Sequence, residues 1–261
     1  MPLFKYYYTL DLELSTTEVN NKRKILIMSI SSILTKHCPK YETIIPSSGT
    51  KVWFRPFLVK EEKKLLIVQE FGTEKEIIKC MVEILESCFD SDIFGSLPLF
   101  DIEYLFLQLR SKSISSVVSS VLICPYTQEN INISINLDEI VLTTDKNHTK
   151  KLNLGNRITL NMKYPSVDML LESDINVSSE AIYNVALNCM ESIQTQDELI
   201  SCKEQTKEEL EDFLNNMSIE QFSKITQFFE TIPKLEKTIE YKTKDSINRT
   251  LLLRGIKDFF V

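Results

Sequence analysis

Glycine and histidine are scarce in this chain of 261 residues, and their scarcity excludes several kinds of site. The five glycines, at 49, 72, 95, 155 and 255, are never clustered, so the chain has no glycine-rich loop for a phosphate group. The two histidines, His37 and His148, offer little for acid–base chemistry. Neither a Gly-x-Ser-x-Gly elbow nor a His-Glu-x-x-His helix occurs. We therefore predict that the protein is not an enzyme, has no catalytic residues and needs no cofactor.

The chain also lacks a basic surplus, a long apolar run and closely paired cysteines. A net charge of −7 argues against a nucleic-acid partner, which normally meets a basic stripe. No apolar run reaches the roughly 18 residues that a membrane helix needs. The six cysteines include no Cys-x-x-Cys pair, and Met1-Pro2-Leu3-Phe4-Lys5 does not resemble a signal peptide. We expect a protein of a reducing cytoplasm that is soluble, or peripheral to a membrane at most.

What the sequence does contain is an aromatic junction, which we define as Trp53-Phe54-Arg55-Pro56-Phe57. Ser47-Ser48-Gly49 before it indicates a turn, because glycine takes positive φ without steric cost. Pro56 cannot donate a hydrogen bond to a β-ladder, so it ends the strand before a helix that begins near Val59. The stretch is therefore predicted to fold as turn, strand, junction and helix.

The rings of the junction allow two interpretations. In the first, Val52, Phe54 and Phe57 face an interior, and Trp53, the one tryptophan, belongs to the same structural corner, because aromatic side chains bury the most area. In the second, Trp53, Phe54 and Phe57 form a stacking platform for a nucleic acid or a small ligand. The second interpretation requires exposed rings surrounded by Lys or Arg.

Apolar periodicity along the chain predicts an α+β fold. Capping boxes, in which a Ser or Thr and a Glu or Gln three residues later cap a helix start, occur at Thr73, Thr206 and Ser218. A third helix follows Pro98, and the stripe from Ile182 to Ile193 is interpreted as one more helix. We predict helical segments combined with antiparallel β-hairpins, with a C-terminal half that is mainly helical and ends in a hairpin. The predicted hairpins are 117–124 with 131–137, 151–154 with 157–164, and 237–241 with 249–253.

Three parts of the chain are predicted from these patterns. Residues 1–40 form an N-terminal extension, with a strand at 3–14 and a loose helix. Residues 41–164 form an α+β domain that contains the junction, the helices and two hairpins. Residues 165–261 form a mainly helical part. The role of the extension is left open, and Met28 is a second plausible start of the chain.

Two motifs and the chain end carry a resemblance to a known family. They are Phe54-Arg55-Pro56-Phe57-Leu58-Val59-Lys60-Glu61-Glu62-Lys63, Phe100-Asp101-Ile102-Glu103-Tyr104-Leu105-Phe106-Leu107-Gln108-Leu109-Arg110-Ser111-Lys112-Ser113 and Leu253-Arg254-Gly255-Ile256-Lys257-Asp258-Phe259-Phe260. From Tyr41 to Val261 the chain resembles the baseplate hub assembly family of T-even-type contractile-tailed phages.

The resemblance implies a structural or assembly component that contacts other baseplate hub or tail proteins. It implies assembly in the host cytoplasm and a place in the virion tail baseplate. An assembly chaperone absent from the mature tail is the alternative, and a homo-oligomer stays open. No nucleic acid or membrane is expected as a partner.

The resemblance also points to candidate interface residues and to two related turns. Arg55 and Arg110 can each clamp a partner's carboxylate, or form internal salt bridges to Glu61, Glu62 or Glu103. In relatives, turns like those near Cys124 and Tyr241 can carry Cys-Pro-x-Cys knuckles. Only Cys124 remains here, and structural zinc needs about four ligands, so we predict no metal. The structural or interface candidates are Trp53, Phe54, Arg55, Pro56, Phe57, Tyr104 and Arg110.

Overall fold

The computed structural model describes residues 38–172 and 179–255. The chain divides into two units, Met1–Lys40 and Tyr41–Val261, and the second contains nearly all of the described residues. The strand predicted at 3–14, the loose helix after it and His37 lie outside them.

The first part of the second unit is a short hairpin followed by three helices. A turn at Gly49, whose φ is +69°, joins the two strands, as its sequence predicts. Thr73 accepts a hydrogen bond from the Glu76 amide, and the Glu76 carboxylate accepts one from the Thr73 amide at 2.7 Å, so the predicted capping box forms. The elements are β1 (Tyr41–Ile44), β2 (Lys51–Phe54), α1 (Val59–Phe71), α2 (Glu74–Cys88) and α3 (Leu99–Ser113).

The rest of the described chain contains more strand residues than helix residues. Its strands are β3 (Val117–Ile123), β4 (Asn130–Asn136), β5 (Val141–Thr143), β6 (Lys151–Gly155), β7 (Ile158–Met162), β8 (Met190–Gln194), β9 (Leu199–Ser201), β10 (Lys234–Lys242) and β11 (Asn248–Arg254). Its helices are α4 (Val167–Glu172), α5 (Ser179–Cys189), α6 (Lys207–Asn215) and α7 (Ile219–Glu230).

The predicted α+β combination is present, but the prediction of a mainly helical C-terminal half is wrong, because that half is mostly strands. The clearest error lies between Ile182 and Ile193. Helix α5 ends at Cys189, and Ile193 belongs to strand β8, which pairs with β7 and β9. Ile193 stands four residues after Cys189, and that spacing suits one face of a helix as well as one face of a strand.

The paired strands of the described chain are antiparallel and form four small sheets. β1 pairs with β2, β3 pairs with β4, β6 to β9 form a sheet in chain order, and β10 lies between β11 and β5. The terminal hairpin has the predicted register, with Lys237 opposite Leu253 and Tyr241 opposite Arg249. The predicted hairpins of β3 with β4 and of β6 with β7 are also present.

Three apolar clusters hold these elements together, and α3 takes part in two of them. The first cluster joins β2 to the three helices α1, α2 and α3, and it includes Phe54, Leu65 and Leu105. The second lies between the β6–β9 sheet and helices α5 to α7. The third packs Leu107 of α3 against β4, β5, β10 and β11. Helix α3 is thus covered on most sides by its own unit.

Candidate interaction surface

Strand β2 places the rings of the aromatic junction on opposite sides. Val52 and Phe54 are buried, as predicted, because they alternate with exposed positions along the strand. Phe54 stacks on Phe89 with ring centroids 4.9 Å apart and also contacts Tyr41 at 5.7 Å. Phe57, beyond the strand, is buried as well. The interior side of the junction is therefore a packed aromatic corner.

Trp53 points away from this corner, contrary to the interpretation that it belongs to it. The residue is 47% exposed. It lies on one face of the β1–β2 hairpin with Glu42, Ile44 and Lys51, and we call these four residues the outer hairpin face. Lys51 Nζ forms an ion pair with Glu42 at 2.6 Å, and Glu42 stands opposite Trp53. One exposed indole thus stands beside an aliphatic side chain and an ion pair.

The alternative interpretation, a stacking platform of three rings, does not fit this geometry. Phe54 and Phe57 are buried, so Trp53 is the one ring of the junction that a base could reach. The cation on the outer hairpin face, Lys51, is already paired with Glu42. A single-stranded nucleic acid normally needs several exposed rings together with a basic groove.

Arg55 is held inside the protein by Glu61. Its Nη2 donates hydrogen bonds to Glu61 Oε1 at 3.0 Å and to the Ser87 carbonyl at 2.8 Å, and its Nη1 donates to the Pro56 carbonyl at 2.9 Å. The side chains of Arg55 and Glu61 are 17% and 4% exposed. Of the two alternatives for Arg55, the geometry corresponds to the internal salt bridge.

The Glu61 carboxylate is stabilised in its charged form by several donors. Burial raises its pKa, but hydrogen bonds from Arg55, from the Leu58 amide and from Ser87, together with the charge of Arg55, outweigh burial and lower the pKa to about 2. The Leu58 amide lies 2.8 Å and the Ser87 hydroxyl 2.9 Å from carboxylate oxygens. This cluster fixes the start of α1 to β2 and to the end of α2.

The remaining candidate residues lie close to α3. The Phe57 amide donates to Ser113 Oγ at 3.0 Å, which ties the junction to the end of that helix. Tyr104 is half-buried and packs against both the first and the third cluster. Burial lowers the pKa of Arg110, and the nearby Glu62 carboxylate opposes this effect. The junction thus lies beside the end of α3, the helix that also carries Arg110. Trp53, in contrast, faces outward from β2.

A polar contact between two residues outside the candidate set joins the tips of two hairpins. Cys124 Sγ lies 3.4 Å from the Tyr241 hydroxyl, although the two residues are far apart in sequence. Burial raises the pKa of Cys124, but the polar groups of its own turn and the Tyr241 hydroxyl outweigh burial and lower the pKa to about 7. The Arg249 guanidinium stacks on the Tyr126 ring, 5.0 Å from its centroid. In the sequence, the similarity of the two turns is the one signal that links them.

His148 is a structural residue of the second cluster. Its Nδ1 lies 2.9 Å from Thr231 Oγ1 and its Nε2 lies 2.9 Å from the Tyr164 hydroxyl. Its ring stacks on Tyr164 and on Phe228. The Thr231 hydroxyl also donates to the Gln227 carbonyl at 2.8 Å. The imidazole is therefore held by ring stacking and by a polar contact on each of its nitrogens.

Within 38–172 and 179–255, no group of three His, Cys, Asp or Glu side chains is placed to hold a metal ion. In the same part of the chain, no helix has the length and apolar character needed to cross a bilayer.

The chain matches the sequence model of a known protein family. The sequence model of a family described as "T4 bacteriophage base plate protein" matches residues 38–261, which is most of the chain. No curated individual protein and no solved structure matches the chain.

Proposed function

This chain belongs to the T4 bacteriophage base plate protein family, and from that premise we propose that it is a structural or assembly component of the baseplate hub. In this proposal it acts through contacts with other hub or tail proteins, catalyses no reaction and needs no cofactor. It is made in the host cytoplasm and enters the tail baseplate during assembly.

The observation that supports a contact role best is the exposed Trp53 on the outer hairpin face. Tryptophan is enriched among the residues that contribute most to protein–protein affinity, and such residues are normally surrounded by polar ones that exclude water. Ile44, also 47% exposed, extends the apolar area, and the Glu42–Lys51 ion pair borders it. The hairpin is anchored through Phe54, so it presents Trp53 on a rigid support.

The test is the replacement of Trp53 by alanine in an otherwise intact phage. Because an interface tryptophan commonly contributes about 2 kcal/mol or more, we expect binding to baseplate components to weaken by at least about thirtyfold. Incorporation into purified baseplates, measured by quantitative mass spectrometry, should fall accordingly. The control is Ile219→Ala, because Ile219 is 91% exposed on α7, a helix of the second cluster, whereas β2 packs on the first cluster.

Two outcomes would contradict this proposal. Normal baseplate assembly with Trp53→Ala, at unchanged melting temperature, would remove Trp53 as a contact residue. Absence of the wild-type protein from purified mature tails, together with its presence in assembly intermediates, would favour the assembly chaperone over a permanent hub component.

A further inference from the structure

The hairpin of β3 and β4 is unusual because neither of its seven-residue strands contains a charged side chain. Charged residues make up 26% of the whole chain. Natural sheets normally protect their edges with lysine, proline, a bulge or a covering element. β3 has neither lysine nor proline, its register with β4 has no bulge, and within 38–172 and 179–255 no strand other than β4 pairs with it.

One face of this hairpin is divided into an aliphatic row and a polar row. Among the β3 side chains that the structure describes, Val117, Ser119, Val121 and Ile123 are exposed, and the three aliphatic ones are 49%, 57% and 58% exposed. The residues opposite them on β4 are Asn136, Ser134, Asn132 and Asn130. The aliphatic row therefore lies along the outer strand of the hairpin, where the side chains of a further strand would pack beside it.

The hydrogen-bond pattern shows which backbone groups of β3 point outward. The Cys124 amide donates to the Glu129 carbonyl at 2.8 Å, and the Leu137 amide donates to the Ser116 carbonyl at 2.7 Å, so Ser116 and Cys124 point toward β4 and its extension. Backbone direction alternates along a strand. Val117, Ser119, Val121 and Ile123 consequently direct their amides and carbonyls to the outer edge, where the Val117 amide already donates to Ser115 Oγ at 3.0 Å.

We propose that a second copy of this chain pairs with β3 along this edge, antiparallel, around a two-fold axis beside the backbone of Ser120. This arrangement is self-complementary, because it places Val117 opposite Ile123 of the other copy and Ser119 opposite Val121. Every pair then joins residues whose backbone groups point outward, so the hydrogen-bonded pairs of an antiparallel ladder form without a register shift. A four-stranded sheet results, with the order β4, β3, β3 and β4.

Charge does not oppose a second copy at this edge, although it does so elsewhere on the surface. Each chain carries a net charge of −7, so two copies repel one another over most of their surface. The uncharged hairpin brings no like charges into direct opposition across the new seam. The self-association goes beyond the proposed baseplate function and does not depend on it, because the purified chain alone is sufficient to form it.

The test is the association state of the purified full chain, measured by sedimentation over a wide range of concentrations. We expect a reversible monomer–dimer equilibrium. Val121→Lys should raise the dimer dissociation constant by at least about tenfold, because the two lysines would lie diagonally across the seam. Asn132→Lys is the matched control, because it adds the same charge on the same face but one strand away from the seam, and it should leave the constant nearly unchanged.

A second variant, Ser119→Pro, removes one outward amide without removing a hydrogen bond between β3 and β4. It should also weaken the dimer, and circular dichroism should show a folded protein. In the wild type, amide exchange of Val121 and Ile123, measured by NMR, should slow as protein concentration rises. A wild-type chain that stays monomeric at the highest concentration, or a dimer that Val121→Lys and Asn132→Lys weaken equally, would overturn the proposal.

Discussion

Replacing Glu61 with glutamine is expected to remove a stabilising charge whose contribution depends on pH. In the folded protein the pKa of Glu61 is about 2, against an ordinary value of 4.5. Because the folded state favours the charged form, this contribution is present in full above pH 4.5 and is lost as pH falls toward 2. The difference in pKa corresponds to about 3 kcal/mol of unfolding free energy at neutral pH.

The measurement is urea-induced unfolding of wild type and Glu61→Gln between about pH 2 and pH 7. The difference in unfolding free energy between the two proteins should grow by about 3 kcal/mol from the acid end to about pH 5, and then stay constant. Arg55→Ala should also destabilise the protein at neutral pH, by up to a similar amount, because it removes the buried cation of the Glu61 carboxylate and leaves it the exposed Lys60, whose Nζ lies 3.3 Å from Glu61 Oε1.

The control for this experiment is Glu70→Gln, which makes the same chemical change at an exposed position of the same helix α1. Its free energy of unfolding should follow that of the wild type at each pH. A difference between wild type and Glu61→Gln that does not change with pH would refute the assignment of the donors around Glu61. A negligible coupling energy in the double-mutant cycle with Arg55→Ala would refute the salt bridge as its main cause.

Three further predictions concern single side chains. Burial and the charge of Lys150 lower the pKa of His148 below 6.5, so the folded state favours the neutral imidazole and the protein should lose stability as pH falls below 6.5. Between about pH 8 and pH 5, the melting temperature of His148→Gln should fall less than that of the wild type. An equal fall in both proteins would contradict this prediction. The ionisation of Cys124, followed by thiolate absorbance, should occur near pH 7 and be absent from Cys124→Ser. Tyr241→Phe removes the hydroxyl that contacts Cys124 Sγ, so it should move this ionisation to higher pH. An ionisation at the same pH in Tyr241→Phe would exclude the contact. Acrylamide should quench the fluorescence of Trp53 in the isolated protein, because the indole is half-exposed, and quenching should decrease when baseplate partners are added; an indole shielded in the isolated chain would contradict the geometry of β2.

Local signals in the sequence predict local structure well. The capping boxes at Thr73, Thr206 and Ser218 all form, because each depends only on residues three positions apart. The terminal hairpin has its predicted register for a similar reason, since its two alternating strands are joined by a short turn. The salt bridge between Arg55 and Glu61 is among the alternatives that the sequence offers, because both residues border the same junction.

Features that depend on distant partners are not predicted. Nothing local distinguishes β8 from a continued α5, because its strand geometry comes from pairing with β7 and β9. The aromatic neighbours of Trp53 favour a buried indole, although strict alternation from Val52 and Phe54 places it outside. The contact of Cys124 with Tyr241 needs two hairpins to meet, and no spacing rule connects them. The interface role of the candidate residues stays a prediction.

The position of helix α3 between two apolar clusters has a consequence for how the protein unfolds. Its Leu105 belongs to the core of the first helices, and its Leu107 belongs to the core of the terminal hairpin. Neither core can unfold without exposing one apolar face of α3, so heating should unfold both cores in one cooperative transition. A temperature-sensitive substitution in α3 would consequently disable both ends of the described chain together.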